Sequence, residues 1–344
     1  MDATPLGFPP LTIAVFAGIA LGALLLDMVT HRADRPVSLA KASLWSVFWV
    51  ALSLGFAAFL YVQHGAHTAS LFITGYALEK VLSVDNLFVF MAIFAWFKVP
   101  DELRHRVLYW GVIGAVVFRG VFVLIGTGLL ALGPWVEVVF AVIVAWTAVM
   151  MLKGSGSDEA EEDYSRHIAY RVATLLFPTW PKLHGNRFFV SRQVLEAQVL
   201  KPENHGITLA AKGAVFATPL FLCLVVVEVS DLLFAFDSVP AVIAVSREPL
   251  IVYSAMLFAI LGLRSLYFVL EALKRYLVHL EKAVIALLFF IAAKLGLNAT
   301  HHLFEHSYTI APNTSLAIVM AVLAAGIAAS LIFPAKAPSQ AEHN

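Results

Sequence analysis

The stretch "LEKVLSVDNLFVF" (residues 78–90) sets Glu79, Lys80 and Asp85 inside a run of apolar side chains that extends over residues 69–97. A run of that length exceeds the roughly 20 residues an α-helix needs to cross a 30 Å hydrocarbon layer. A charge at the centre of such a span costs roughly 2.5–3.5 kcal/mol on insertion scales, so ionisable groups there mark a site rather than a packing choice. The fold therefore follows from whether the rest of the chain is also built for a membrane.

It is. Of 344 residues, 60% are apolar and 13% charged, and the mean hydropathy is +0.85, whereas soluble domains carry about 25% charged residues. We read an all-α, polytopic transmembrane helical bundle of about nine spans: 9–29, 43–63, 69–97, 107–128, 134–152, 211–245, 250–271, 283–298 and 314–333. The chain divides into a first membrane half (1–153), a cytoplasmic segment (154–206), a second membrane half (207–335) and a short tail (336–344). The sixth run is too long for one straight helix, and Pro219 and Pro240 predict a break or re-entry in it. A formal net charge of zero offers no footprint for nucleic acid. Cys223 is the sole cysteine, so no internal disulfide can form. Asp2 is the only charged side chain ahead of the first run, which reads as a true span rather than a cleaved signal.

Lys and Arg fall on alternate connections. Arg32, Arg35 and Lys41, then Lys98, Arg104 and Arg106, then eight from Lys153 to Lys212, then Lys274, Arg275 and Lys282 lie on one side, with Arg247 alone on the other. Basic loops favour the cytoplasm, which puts the N-terminus outside and the C-terminus, with Lys336, inside. Histidines at 64, 67, 301, 302 and 306 gather on the outer side without convincing ligand spacing.

A repeat is visible. "EKVLSVDNLFVFMAIF" (79–94) echoes "DLLFAFDSVPAVIAV" (231–245): Glu79 and Asp85 match Asp231 and Asp237, Asn86 matches Ser238, and Arg119 matches Arg264 further on. The copies begin in spans three and six, so spans 3–5 and 6–8 run in opposite directions, an inverted repeat of the transporter kind with its site near the midplane. Inside spans the acids are Glu79, Asp85, Glu228, Asp231 and Asp237, and the bases are Lys80, Arg119, Arg264 and Lys294, which would pair or gate; Asp27 and Glu137 lie close to span ends, within reach of water. Clustered carboxylates with no cation between them raise one another's proton affinity, so a proton or a metal must share the site. Residues six apart on a helix point about 120° apart. Glu79 and Asp85 could face one ion only if their helix unwound, whereas Glu228 and Asp231 share a face. Five carboxylates, Asn86 and Ser238 make an oxygen shell suited to Mn²⁺, Ca²⁺ or Mg²⁺. Gly18 and Gly22 hint at close helix contact.

The stretches "GYALEKVLSVDNLFV" (75–89), "HRVLYWG" (105–111), "VEVSDLLFAFDSVPAVIAVSREPLIVYSAM" (227–256) and "AAKLGLN" (292–298) resemble the TerC family of integral membrane proteins, and the likeness covers nearly the whole chain. It implies a multi-span protein of the bacterial cytoplasmic membrane. Alx-like members are associated with manganese export through the acids of the two motifs, which fall here on Glu79, Asp85, Glu228, Asp231 and Asp237. Tellurite-resistance members work with other products of their gene cluster, which implies a soluble TerB-like partner on the cytoplasmic segment, where residues 158–163 hold five acids. Three functions stay open: export of a divalent cation, a membrane platform for a cytoplasmic resistance complex with a structural metal, and direct efflux of the tellurite oxyanion. No nucleophile–base pair or phosphate loop suggests an enzyme.

Overall fold

The computed structural model describes residues 8–30, 38–130, 132–154, 168–199, 201, 214–273, 280–304 and 310–332, without the side chains at 28–30, 85, 237, 280, 281, 302–304, 312 and 331. The acid cluster at 158–163, the His302 side chain, His306, the start of the expected sixth span and the tail lie outside what is described. Helices follow one another in this order: α1 (Pro10–Thr30), α2 (Leu39–Trp96), α3 (Asp101–Leu130), α4 (Pro134–Gly154), α5 (Ile168–Leu176), α6 (Arg192–Val199), α7 (Pro219–Ile243), α8 (Pro249–Ile260), α9 (Leu263–Leu273), α10 (Leu280–Phe304) and α11 (Pro312–Ile332). The described strands are a three-residue pair, β1 (Phe189–Ser191) and β2 (Val215–Ala217), antiparallel with Val190 opposite Phe216. Trp180, Val190, Leu195 and Phe216 form a small separate core around that ribbon.

Seven helices are long and apolar enough to cross a membrane, and the bent pair α8–α9 makes up to eight. At 58 residues α2 would run about 87 Å as one rod, well beyond a bilayer. It breaks at Gly65 (φ 85°, ψ 176°), a left-handed conformation that glycine adopts without a Cβ clash. Arms 39–64 and 66–96 are each long enough to span, and counting them separately is what distinguishes eight spans from nine. Large apolar side chains such as Leu21, Leu44, Val62, Leu124, Trp135 and Trp146 stay exposed on the helix surfaces, as lipid-facing positions do.

The most extensive helix contacts join α4 to α10, α2 to α8 and α3 to α7. The interior is rich in aromatic pairs: Phe56 stacks on Phe258 at 5.0 Å, and Phe72 meets Phe258 edge-on at 5.7 Å. Gly18 and Gly22 have no neighbour within 4 Å of a Cβ position, so no close helix contact is made there among the described residues of this chain. Close approach belongs instead to α3, where Gly111 faces Val227, Gly114 faces Glu228 and Gly126 faces Ile243 of α7.

Two expectations about helix breaks need correcting. The sixth span is one helix beginning at Pro219, with Thr218 as its N-cap residue, not a run from 211 that breaks. Pro219 sits where its missing N–H costs nothing. Pro240 sits in the last turn, so the helix ends three residues later instead of kinking. Likewise α2 is helical through 79–85, its one non-helical residue being Gly65. The break near the acids is at Leu261–Gly262, where α8 and α9 bend by 51°.

Gly262 has φ +83°, and a Cβ there would lie 2.5–2.9 Å from Trp49. Gly262→Ala should therefore destabilise by about 1–3 kcal/mol from the backbone alone and by a similar amount from overpacking. Gly18→Ala should be neutral or stabilising, because alanine is the better helix former. Thermal unfolding of the detergent-solubilised protein separates the two, and equal midpoints would remove the argument.

Candidate functional site

Arg119 is the centre of the buried charge. It projects from the middle of α3 with 0% exposure and makes ion pairs with Glu79 of α2 and Asp231 of α7. Its Nη2 donates to Asp231 Oδ1 at 2.9 Å and its Nε to Asp231 Oδ2 at 3.4 Å, a two-pronged grip suited to a planar guanidinium. Ser83, one turn after Glu79, donates to Glu79 Oε1 at 3.5 Å. The first acids of the two repeat motifs thus converge, though across an arginine rather than across open space.

Glu228 lies three residues before Asp231, on the same face of α7. Both line a cavity of about 20 Å³, with Leu87, Phe90, Leu108, Gly111 and Arg264 among its walls. That volume is close to what one water or one bare ion needs. Gly114 makes room for the Glu228 carboxyl, since a Cβ at 114 would fall 2.0–2.4 Å from its oxygens and carbon. Sequence reasoning missed this glycine; the signal was a run of glycines at 111, 114, 120 and 126 on one span. Gly114→Ala should displace Glu228 and impair whatever the cavity does, whereas Gly111→Ala, with its neighbour at 3.6 Å, should be mild. Comparing the two in an activity assay checks whether the carboxylate's position matters; equal activities would show that it does not.

The remaining expected residues are placed as follows. Asn86 and Ser238 are buried on α2 and α7. The side chains of Asp85 and Asp237 lie outside the described residues. Among the described residues no group of three or more His, Cys, Asp or Glu is arranged to hold a metal ion. Lys80 donates to the carbonyls of Ala259 (3.1 Å) and Leu261 (3.4 Å), filling the acceptors exposed where α8 ends. A broken helix does adjoin the site, but it is α8–α9, and a lysine occupies its loose carbonyls. Lys294 is buried in α10, with no ion pair or hydrogen bond among the described residues.

Arg264 does not mirror Arg119. Its Nη2 donates to both the backbone carbonyl (2.9 Å) and Oδ1 (2.6 Å) of Asp27 on α1, and its guanidinium lies 6.0 Å from the Tyr109 ring. Asp27 and Glu137, placed at water-accessible span ends by the sequence, are in fact buried; Glu137 pairs with Arg247. Neighbouring arginines from other elements cover both acids, which no one-dimensional pattern discloses.

Glu79, Asp231 and Glu228 together set three carboxylates against the one guanidinium of Arg119. Glu79 Oε2 and Glu228 Oε2 are buried and lack a hydrogen-bond partner among the described residues. Native interiors leave few such atoms without a partner, a water or an ion.

The profile of the integral membrane protein TerC family matches residues 64–337. A Serratia marcescens protein named "Tellurium resistance protein TerC" is 65% identical over 342 residues, 99% of each chain. An Alcaligenes sp. protein of the same name is 64% identical over 338 residues, 98% of each chain. A Photorhabdus laumondii protein named Alx, a candidate membrane-bound redox modulator, is 35% identical over 306 residues, covering 86% of this chain and 88% of its own. No solved structure matches. A multi-helix membrane bundle matched by the family profile over most of its length and by these relatives over nearly all of it belongs to the TerC family of integral membrane proteins.

Proposed function

We propose that this chain moves a divalent metal cation across the bacterial cytoplasmic membrane, Mn²⁺ first, with Ca²⁺ and Mg²⁺ as the alternatives of the same hard-ion class. The observation that carries the reading is the pair of orphaned carboxylate oxygens, Glu79 Oε2 and Glu228 Oε2, in a cluster where acids outnumber bases and a small cavity opens. Asp85, Asp237, Asn86 and Ser238 complete the oxygen shell in this proposal. Protons compete for the same carboxylates, which makes cation/proton exchange the natural coupling.

The pairing of α3 with α7, α2 with α8, and α4 with α10 supports an inverted repeat of spans 3–5 and 6–8 within a nine-span chain. Each contact joins the first helix of one copy to the second of the other, or third to third, as a two-fold in the membrane plane requires. Lys and Arg on alternate connections support an N-terminus outside and a C-terminus inside. The names of the relatives connect this family with tellurium resistance and with membrane redox state. Resistance would then follow indirectly from metal or redox homeostasis. Direct tellurite efflux is disfavoured because Arg119 and Arg264 are tied to carboxylates and Lys80 to carbonyls, leaving them poorly placed to receive an oxyanion.

The test is ion flux into proteoliposomes with Mn²⁺, Ca²⁺ and Zn²⁺. Asp85→Asn and Asp237→Asn should each reduce Mn²⁺ flux at least about tenfold, the equivalent of about 1.4 kcal/mol in ion stabilisation. Wild-type flux in both variants would eliminate the site. A second reading has one observation in its favour: Arg119 already neutralises much of Glu79 and Asp231, as a packing device would. In that reading the chain is a membrane platform, with residues 154–206 docking a TerB-like protein. Deleting 155–167 should then abolish resistance while leaving cation flux intact.

A further inference from the structure

Two ion pairs outside the acid cluster occupy equivalent places in the two halves. Arg104, in the first turn of α3, pairs with Glu271 in the last turn of α9 and with Asp101 at 2.9 Å. Arg247, two residues before α8, pairs with Glu137 in the first turn of α4. In each half the arginine lies at the junction of the first and second repeat helices, and the glutamate at the junction of the second and third. Each arginine takes the glutamate of the other half. A two-fold relation makes such exchanged contacts in pairs, as the isologous interface of a symmetric dimer does.

The two junctions lie at opposite ends of the second repeat helix, so one pair sits at each face of the membrane. The cavity lies between them. Its α3 wall, Leu108 to Ala115, begins one turn from Arg104, and the Arg119–Glu79–Asp231 group stands one turn beyond Ala115 on the side toward Glu137. Arg104 is also fixed to the chain by a bond from its Nε to the Val99 carbonyl at 3.2 Å.

We propose that Arg104–Glu271 and Arg247–Glu137 are the two gates of the cation path, one for each face, and that both are closed in this structure. The inference rests on the transport reading and names residues that the acid cluster does not contain. Breaking one pair removes a contact made only when that face is closed, so it shifts the population toward opening on that face alone.

Accessibility of a cysteine in the cavity tests this without any transported ion. Cys223 is fully buried and is replaced by alanine, and Val112→Cys supplies the reporter on the cavity wall. The full-length protein in oriented vesicles is treated with a membrane-impermeant maleimide from each side in turn. Glu271→Gln should raise the labelling rate about fivefold from the α2–α3 side only, the scale of one partly exposed ion pair. Arg247→Gln should do so from the opposite side only. Arg104→Lys and Arg247→Lys keep the charge and should stay near the parent rate, which separates a gate from a loss of folding. Unchanged labelling in both glutamine variants, or a rise from both sides alike, overturns the gates. Side-specific labelling with no Mn²⁺ flux in the parent would retain the gates and remove the cargo assignment. Normal parental flux without side-specific labelling would do the reverse.

Discussion

Arg119→Met should lower the thermal midpoint of the purified protein by several degrees in metal-free buffer, and millimolar Mn²⁺ should restore part of the loss. The first half follows from burial. Glu79 and Arg119 have 0% exposure and Asp231 5%, so removing the guanidinium leaves two buried carboxylates without their cation. Deleting one partner of a buried ion pair costs about 3–5 kcal/mol. The second half follows from what the guanidinium occupies. It stands between Glu79 and Asp231 as a resident cation, and methionine leaves that position apolar and uncharged. A divalent ion drawn to the vacated space would stabilise the folded state by about 2.7 kcal/mol at a hundredfold excess over its dissociation constant. Wild-type protein, with Arg119 in place, should respond less. A variant as stable as wild type would show that the triad bears no load. A destabilised variant indifferent to Mn²⁺ would show that the arginine does not stand where a cation can.

The same triad shows what could be read in one dimension. Intramembrane charge at a known cost identified Glu79, Asp231 and Arg119, and a spacing of three placed Glu228 beside Asp231 on one face of α7. The repeat of acid spacing anticipated that Glu79 and Asp231 would meet. It could not disclose that Arg119 would come between them, because that depends on how α3 rotates against α2 and α7. Arg264, the apparent twin, is drawn to Asp27 by α1, an element outside the repeat, so the symmetry of the motif is not a symmetry of contacts. Proline proved a poor guide to broken helices here. Pro240 lies too near the end of α7 to bend it, while the break that matters, at Leu261–Gly262, carries only a glycine. The short ribbon of β1 and β2 was invisible because three-residue strands have no periodicity to detect.

Glu228→Gln should leave the unfolding free energy within about 0.5 kcal/mol of wild type, as expected where no named destabilising mechanism operates, yet reduce Mn²⁺ flux at least about tenfold. The substitution keeps the shape that Gly114 accommodates and leaves the Arg119–Glu79–Asp231 pairing intact. It removes the one carboxylate of the cluster for which no ion pair is found among the described residues, and whose Oε2 has no hydrogen-bond partner there. A carboxylate kept for packing would be replaced by its amide with little effect on either measurement. One kept for binding a hard cation would lose a charged oxygen ligand and show the change in flux alone, because hard divalent ions select for oxygen donors and their charge. The split between stability and flux is therefore the discriminating quantity. Unchanged flux with unchanged stability would place the cation path away from this cavity, and a shared loss of both would return Glu228 to a structural role.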